Sequence, residues 1–297
     1  MFNYRPAKKQ DKAALQSLWE ECFPEDKGAF SAWYFTELFQ PENVYVAETS
    51  TKITGSLYAP PLKLKIAKKI IKVPYLQGIA TAVSHRNLGI AKNLIAYSLK
   101  CLQEQGYNMA VLEPFLPLFY EKLGFRTFAK ANSLELSIIN NHALQNHNKS
   151  RLFSPLETNP NLKQMNNIYQ IFGKSFYSHP LRDSKRWQNL LYDHKADGGK
   201  ILATEDAYLL YFMEGNTIKI RELAYKDEAA AINLLRKTKD MLCGSLFVYT
   251  EQPQAMYYAL SFAAYQKGTP ILAFPAYHNH KNYFNEFRKG FNELYFS

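Results

Sequence analysis

The stretch "SHRNLGIAKNLI" (Ser84–Ile95) decides the fold, because it joins an apolar segment to an amphipathic one. The preceding residues, "VPYLQGIATAV" (73–83), are short and apolar and predict a strand. From about Leu88 onward apolar side chains recur at helical spacing, and Gly106 stands where such a helix would end. The stretch therefore predicts the turn between a strand and a helix.

The same residues are suited to binding phosphate. A helix start presents unpaired backbone N–H groups and the positive end of the helix dipole, and both attract an anion. Gly89 lets the backbone approach an oxygen atom closely, Ala91 is small, and Arg86 supplies a positive charge. Taken alone, the pattern Arg-x-x-Gly-x-Ala leaves two interpretations open: a purely structural turn, or a loop for a phosphorylated ligand.

The rest of the first half predicts helices and strands on either side of this junction. Asp11 is positioned to cap a first helix, whose apolar residues follow at helical spacing. The further predicted elements are a helix around 30–38, strands at 43–48, 53–59 and 107–115, a lysine-rich hairpin before residue 73, and a short helix within 116–125.

The second half repeats this order. Two helices are predicted around 162–172 and 187–191, followed by strands at 200–204, 207–213 and 217–225, a helix over 226–241, a strand at 245–250 and a helix over "PQAMYYALSFAA" (253–264). An Asn-rich segment between the halves, 140–161, is typical of a boundary. We therefore predict an internal duplication, with a first domain at 1–140, a linker at 141–160 and a second domain at 161–297.

Composition limits the class of protein. The 47% hydrophobic and 15% aromatic contents are typical of a globular fold, and no apolar stretch approaches the roughly 20 residues that span a bilayer. The first residues lack the apolar segment of a signal peptide, so we expect a cytoplasmic protein. Cys22, Cys101 and Cys243 are far apart, and His142 and His147 lack partners at metal-ligand spacing. We therefore expect no disulfide framework and no metal.

The net charge of +10 permits an anionic partner, yet it is spread over both halves and forms no basic tail. Five lysines cluster in "KLKIAKKIIK" (63–72), where they alternate with apolar residues. Three interpretations are open: a solvated strand edge, a nucleic-acid patch, and an electrostatic funnel for an anionic cofactor. The first is the commonest, so we predict no nucleic-acid partner and no membrane partner.

The order of these motifs is similar to that of the GNAT (Gcn5-related N-acetyltransferase) superfamily. "HRNLGIAKNLI" resembles the family's acetyl-CoA pyrophosphate motif, Arg/Gln-x-x-Gly-x-Gly/Ala, and "FYEKLGF" (119–125) resembles the segment after its fifth strand. The tandem arrangement resembles the Eis-like branch (enhanced intracellular survival protein). We expect two consecutive GNAT-type units of the α/β (α+β) class, each a mixed, mostly antiparallel sheet flanked by helices, without the sterol-carrier-like domain that usually follows in that branch.

The resemblance implies an N-acetyltransferase that moves the acetyl group of acetyl-CoA directly to a primary amine. Tyr120 matches the family's proton donor to the leaving thiolate. The residues that the resemblance assigns to acetyl-CoA are Ile79, Ala80, Thr81, Arg86, Asn87, Leu88, Gly89, Ile90, Ala91 and Lys92.

The general base and the amine acceptor are less clearly marked. The Eis-like branch implies a C-terminal carboxylate as base, which would be that of Ser297, and Glu113 is an alternative acting through water. For a small-molecule or peptide amine, the resemblance points to the first two helices, with Glu25 and Asp26 for the cation and Trp33 in an apolar wall.

The second unit has Asp227 and Glu228 at the corresponding helix start, where negative charge repels phosphate. We therefore expect it to lack its own acetyl-CoA site and either to close the pocket or to support assembly, including into a homo-oligomer. Two alternatives remain open: a Fem-type transferase that uses aminoacyl-tRNA, and a non-catalytic acetyl-CoA-binding protein.

Overall fold

The computed structural model describes residues 1–130, 133–140, 160–176, 178–215, 217–241, 245–252 and 256–261. Contacts within these ranges divide the chain into two units. The first contains residues 1–130 together with 256–261, and the second contains the described residues from 133 to 252. The two units therefore do not follow chain order, because one strand near the end of the chain belongs to the first.

The elements up to residue 130 are β1 (Asn3–Pro6), α1 (Lys12–Cys22), α2 (Ala29–Trp33), a single π-helical turn (Tyr34–Leu38), β2 (Val44–Glu48), β3 (Ile53–Tyr58), β4 (Pro61–Ile66), β5 (Lys69–Thr81), α3 (Ile90–Glu104), β6 (Met109–Leu112), α4 (Pro117–Lys122) and β7 (Arg126–Lys130). Those that follow are β8 (Ser133–Asn140), α5 (Leu162–Gly173), β9 (Ser178–Pro180), α6 (Ser184–Ala196), β10 (Lys200–Ala203), β11 (Ala207–Glu214), β12 (Thr217–Tyr225), α7 (Glu228–Met241), β13 (Ser245–Gln252) and β14 (Met256–Ser261).

The sheet of the first unit has the strand order β1-β2-β3-β5-β6-β14-β7, and β4 forms a hairpin with the first half of β5. All of these neighbours are antiparallel except β5 and β6, which are parallel. The parallel pairing is short: Tyr75 pairs with Val111 and Leu76 with Leu112, where β6 ends. Because β5 continues to Thr81, its last residues extend beyond the end of β6.

Helices cover both faces of this sheet. The α3 helix buries one apolar stripe, Ile90, Leu94, Ile95, Ser98, Leu99 and Leu102, against a core cluster that includes Tyr45 and Ala47 of β2. The neighbouring residues of β2, Val44 and Val46, point to the opposite face, where they pack with aromatic residues of α1 and the π-helical turn. This alternation places the sheet between two helical layers.

The second unit has a five-stranded sheet in the order β10-β11-β12-β8-β13. Every pair is antiparallel, and β8 lies between β12 and β13. One face of the sheet packs against α7, through Ala231, Leu234 and Leu235 among others. The other face packs against α5 and α6, whose anchors include Met165 and Trp187. Both units are therefore mixed α/β structures with mostly antiparallel sheets, as predicted.

Most predicted elements are confirmed, and two predictions are wrong. Residues 253–264 were predicted as a helix, whereas Met256–Ser261 form β14, which pairs with β6 and β7 on its two sides. A short apolar run has no reliable period, and these two neighbours decide its conformation. Asp11 is at the start of α1, but its side chain does not cap that helix. Its carboxylate instead accepts hydrogen bonds from Arg5 and from the backbone N–H of Lys8.

Several predictions fall on residues that the structure does not describe: the linker within 141–159, His142, His147, Cys243 and Ser297. Among the described helices, none combines the length and the apolar character that crossing a membrane requires.

Candidate active site

The loop between β5 and α3 has an unusual backbone. After Thr81 the chain makes one 3₁₀ turn (Val83–His85), and α3 begins at Ile90. Asn87 and Gly89 have φ angles of 65° and 75°, in the left-handed region that side chains other than glycine and asparagine rarely adopt. These two positive φ values turn the chain sharply into the helix.

The start of α3 is open to an anion. The helix has no side-chain cap, and the backbone N–H groups of a first helical turn have no partner within the helix. Ile90 is buried and anchors the turn, whereas Arg86, Asn87 and Gly89 are exposed. A Cβ atom added to Gly89 would meet only Asn93 Nδ2, at 3.9 Å. No other atom of the described residues lies within 4 Å of that position.

The last residues of β5 lead directly to this loop. Ala80 is buried, and Thr81 Oγ1 is a buried hydroxyl without a hydrogen-bond partner among the described residues. The carbonyl oxygen of Thr81 accepts from Arg86 Nε at 3.5 Å and from Cys22 Sγ at 3.4 Å. Burial raises the pKa of the Cys22 thiol, so it acts here as a neutral donor. The orphaned Thr81 hydroxyl fits a site that a polar ligand completes.

Glu21, at the end of α1, also binds the loop. Its Oε1 atom accepts a hydrogen bond from the backbone N–H of Val83 at 2.7 Å. Together with the neighbouring Cys22, this contact fixes the end of α1 to both ends of the segment Thr81–Val83. Glu21 is not predicted from the sequence, because nothing in the spacing of an acidic residue on a helix surface indicates a hydrogen bond to a residue that is distant in the chain.

Tyr120 lies on α4, half-buried against the core cluster under α3. Its ring makes edge contacts with Phe119 and Phe125, at centroid distances of 5.1 and 5.9 Å. Burial raises the pKa of its hydroxyl to about 12, so the phenol is protonated at neutral pH. No hydrogen-bond partner of this hydroxyl is found within the described ranges. It is a neutral group that can donate a proton.

The aromatic residues of the first two helices form a packed cluster on the other face of the sheet. Tyr34 stacks on Trp19 at 4.8 Å, and Trp33 packs near Phe30 at 5.7 Å. The Tyr34 hydroxyl accepts a hydrogen bond at 3.1 Å from Gln77, which lies on β5 beyond its pairing with β6. Gln77 was not predicted, although a polar residue within an apolar strand is a detectable signal.

The predicted acceptor residues have different environments. Glu25 is exposed, whereas Asp26 accepts a hydrogen bond from the Trp19 indole nitrogen at 2.8 Å, so part of its carboxylate has a structural role. Glu113 is exposed and directly follows β6. All of these residues belong to the first unit; Tyr120, Ile79 and Ile90 contact one core cluster, and the aromatic residues of α1 and α2 form another.

Known proteins share this architecture. Residues 3–128 match the protein family described as "Acetyltransferase (GNAT) domain". No curated protein matches the sequence. Among solved structures, a GCN5-related N-acetyltransferase from Anabaena variabilis superposes with a TM-score of 0.68 at 17% identity, over 87% of this chain and 72% of the other.

Two further structures superpose over a similar length. A probable N-acyltransferase from Enterococcus faecalis has a TM-score of 0.70 at 13% identity, over 88% of this chain and 73% of the other. Eis1 from Mycobacterium abscessus has a TM-score of 0.61 at 11% identity, over 86% and 73%. At such identities the likeness concerns the fold alone. The family match over residues 3–128, in the first unit, supports an acyltransferase, and the solved structures add the fold alone.

Proposed function

We propose that the first unit is an N-acetyltransferase that moves the acetyl group of acetyl-CoA to a primary amine. One observation carries the proposal: the parallel strands β5 and β6 stop pairing at Leu76, just before β5 leads into an uncapped helix start. The exposed edge of β5 and the amides of α3 thus form a continuous row of backbone hydrogen-bonding groups. A long ligand that carries both amide groups and a pyrophosphate suits such a row.

The residues present fit acetyl-CoA as a substrate. Backbone groups of Ile79, Ala80 and Thr81 would bind its amide-containing arm, and the orphaned Thr81 hydroxyl would gain a partner. The amides from Asn87 to Lys92 would bind the pyrophosphate, with Arg86 beside it. Holding the thioester against the incoming amine lowers the activation barrier of comparable reactions by several kcal/mol.

Tyr120 is the proposed proton donor to sulfur. The amine nitrogen bonds to the thioester carbonyl carbon, the C–S bond breaks, and the Tyr120 hydroxyl gives its proton to the departing thiolate. A thiol has a pKa of about 8.5, so transfer from a phenol with a pKa of about 12 is uphill by roughly 5 kcal/mol. We therefore infer that polar groups of the bound substrate lower the pKa of Tyr120 before the transfer.

The amine must lose a proton before it attacks. Glu113 is a candidate base through a water molecule, because it is exposed just beyond the end of β6. Ser297, the other candidate, lies outside the described residues. Of the two acids proposed to attract the cationic acceptor, Glu25 is more suitable than Asp26, whose carboxylate binds Trp19.

We propose that the second unit has no acetyl-CoA site. Its corresponding strand–helix–strand segment is β12-α7-β13, and β8 occupies the position between its two strands. β8 pairs with Thr217–Ile220, the first part of β12, so β12 and β13 are not direct neighbours as β5 and β6 are. In addition, the Asp227 carboxylate accepts a hydrogen bond from the Ala230 N–H at 2.8 Å, so the helix start already carries an anionic cap.

The proposal is tested by ligand-dependent thermal unfolding followed by an amine screen. At 100 times its dissociation constant, a ligand stabilises a folded protein by about 2.7 kcal/mol, which is readily detected. We expect stabilisation by acetyl-CoA and, with the right amine, release of one free thiol per acetylated product. Stabilisation by RNA but not by acetyl-CoA would instead favour an aminoacyl-tRNA-dependent enzyme. Stabilisation by acetyl-CoA without acetylation across a broad amine library would favour a non-catalytic binding protein.

A further inference from the structure

The charge of the first unit is concentrated in one part of its sequence. Between Glu48 and Glu104 every charged side chain is a lysine or an arginine. Five of these lysines belong to the β4–β5 hairpin, namely Lys63, Lys65, Lys68, Lys69 and Lys72. The sequence alone predicts a solvated edge here, and the strand register is what changes that interpretation.

The register brings like charges together. Lys63 pairs directly with Lys72 across the hairpin, and Lys65 pairs with Ile70. These four side chains therefore share one face, which we call the lysine face. Like charges directly opposite each other on neighbouring strands are destabilising. The residues of the opposite face, including Leu62 and Leu64, are buried in a core cluster, so the hairpin cannot turn its lysines inward.

Nothing within the described residues neutralises this face. None of the ion pairs found there includes Lys63, Lys65 or Lys72. Ile70 lies among these lysines with 64% of its surface exposed, so an apolar side chain stands at the centre of the positive charge. The lysine face thus combines unfavourable repulsion between lysines with an exposed apolar side chain.

The lysine face is too far from the candidate active site to attract the substrate. The strand from Lys72 to Thr81 is extended at roughly 3.3 Å per residue, so the separation is about 30 Å. That is several times the Debye length of about 8 Å at physiological ionic strength. The lysine face is therefore not adjacent to the loop, and its charges are available to an anionic partner of their own.

The chemistry of the face distinguishes between the possible anionic partners. Lysines also bind the phosphates of nucleic acids, but recognition of the bases needs arginine, amide or aromatic side chains, and the lysine face has none of these. Lysines surrounding an exposed aliphatic group are instead typical of surfaces that lie on anionic lipid, where the charges contact headgroups and the apolar group enters the interface.

We propose that the lysine face binds the surface of a bilayer that contains anionic phospholipid. Lys63, Lys65 and Lys72 contact the phosphate and carboxylate groups, and Ile70 inserts between the headgroups. The hairpin thereby attaches the first unit to a membrane surface by its β4 end, about 30 Å along β5 from the loop at Arg86.

The test is co-sedimentation with vesicles, comparing phosphatidylcholine alone with an equal mixture of phosphatidylcholine and phosphatidylserine. We expect binding only to the mixture, and weaker binding as salt rises. K63Q/K72Q should lower vesicle affinity about 30-fold, given a contribution of about 1 kcal/mol per lysine near such a surface. The matched control K12Q/K100Q removes the same charge from exposed helical positions and should bind like the original protein.

A loss of vesicle binding by K63Q/K72Q would not result from unfolding. The variant removes a repulsive pair and should unfold at no lower temperature than the original protein. Equal binding to both kinds of vesicle would overturn the proposal, and so would equal losses in K63Q/K72Q and K12Q/K100Q. Tighter binding to single-stranded RNA than to vesicles, weakened specifically by K63Q/K72Q, would overturn it in favour of a nucleic-acid surface.

Discussion

The two units contain the same strand–helix–strand segment with different surroundings. In the first unit, β5 and β6 are direct parallel neighbours that pair through Tyr75 and Leu76 and then stop pairing. In the second unit, β12 and β13 run in the same direction, but β8 lies between them and pairs with both. The strand β8 thus separates β12 from β13, whereas the last residues of both β5 and β12 pair on one side only within the described residues.

The starts of the two helices, α3 and α7, also differ between the units. In the first unit the chain enters α3 through Gly89, without a side-chain cap and with Arg86 and Lys92 nearby. In the second unit Asp227 caps the start of α7, and Glu228 is its first residue. The uncapped start of α3 attracts an anion. At the start of α7 the Asp227 carboxylate already accepts a hydrogen bond from a first-turn backbone N–H group. On this ground we propose that only the first unit binds acetyl-CoA.

The largest expected effect concerns Tyr120. Tyr120→Phe removes the proposed proton donor while keeping the ring contacts with Phe119 and Phe125. We expect kcat to fall roughly 100-fold or more, with little change in the dissociation constant for acetyl-CoA. Steady-state kinetics and calorimetric titration measure the two quantities.

The matched control for Tyr120→Phe is Tyr211→Phe, which changes a buried tyrosine of the second unit. It should leave kcat unchanged. If both variants lost activity equally, or if Tyr120→Phe kept full activity, Tyr120 would have no place in the mechanism.

The next effect tests the helix starts. Lys92 is exposed in the first turn of α3, and Lys92→Glu places a negative charge where the second unit has one. The acidic side chain favours the helix dipole, so folding is preserved, but the affinity for acetyl-CoA should fall roughly 10- to 30-fold. Calorimetric titration measures it, with Lys100→Glu, two turns further along the same exposed face, as control.

The reverse change sharpens the comparison. Asp227→Ser with Glu228→Lys makes the second helix start neutral to basic while keeping a capping side chain. Titration should still find one acetyl-CoA bound per chain, because β8 still fills the strand position. A second equivalent would mean that charge, and not the strand, excludes the ligand.

A smaller effect concerns acid stability. His194 is fully buried on α6, and its Nε2–H donates to the Lys200 carbonyl, whereas Nδ1 has no partner in the described part of the chain. Burial lowers the pKa of this imidazole. Unfolded histidine has a pKa of about 6.5, so below that pH the unfolded chain binds more protons and stability falls, by at most about 1.4 kcal/mol per pH unit.

The melting temperature should therefore fall between pH 7 and pH 5 in the original protein and less in His194→Gln, whose amide can still donate to Lys200. The Arg5–Asp11 ion pair of the first unit should contribute a different pH dependence. Arg5 lowers the pKa of Asp11 by a direct hydrogen bond, so that contribution is present above about pH 4 and lost only below it. Equal pH profiles of the two proteins would remove His194 as the cause.

The smallest effect concerns the contact between α1 and the loop. Glu21→Ala removes the acceptor of the Val83 N–H, and one hydrogen bond of about 1 kcal/mol corresponds to a roughly 5-fold rise in KM for acetyl-CoA. Because Glu21 acts through the loop, kcat should stay constant, and Glu21→Gln should restore most of the affinity. A change in kcat alone would contradict this positioning role.

The local parts of the site could be predicted from the sequence. The strand, the turn at Arg86–Lys92 and the short helix that carries Tyr120 lie where the sequence predicts them, and their roles in a site stay predictions that the family resemblance implies. Contacts between distant residues could not. Asp26 was predicted to attract substrate but binds Trp19, and Glu21 and Gln77 were not identified, since their partners Val83 and Tyr34 are distant in sequence.

The sequence by itself determined the types and order of most elements, because periodicity and turn residues are local properties of the backbone. The tertiary structure alone decided where the strands lie. Residues 133–140 join the second sheet and 256–261 the first, although chain order suggests the opposite. A strand forms its hydrogen bonds with neighbours that are remote in the chain, so its own residues do not specify which gap it fills. That choice places β14 between β6 and β7 and β8 between β12 and β13.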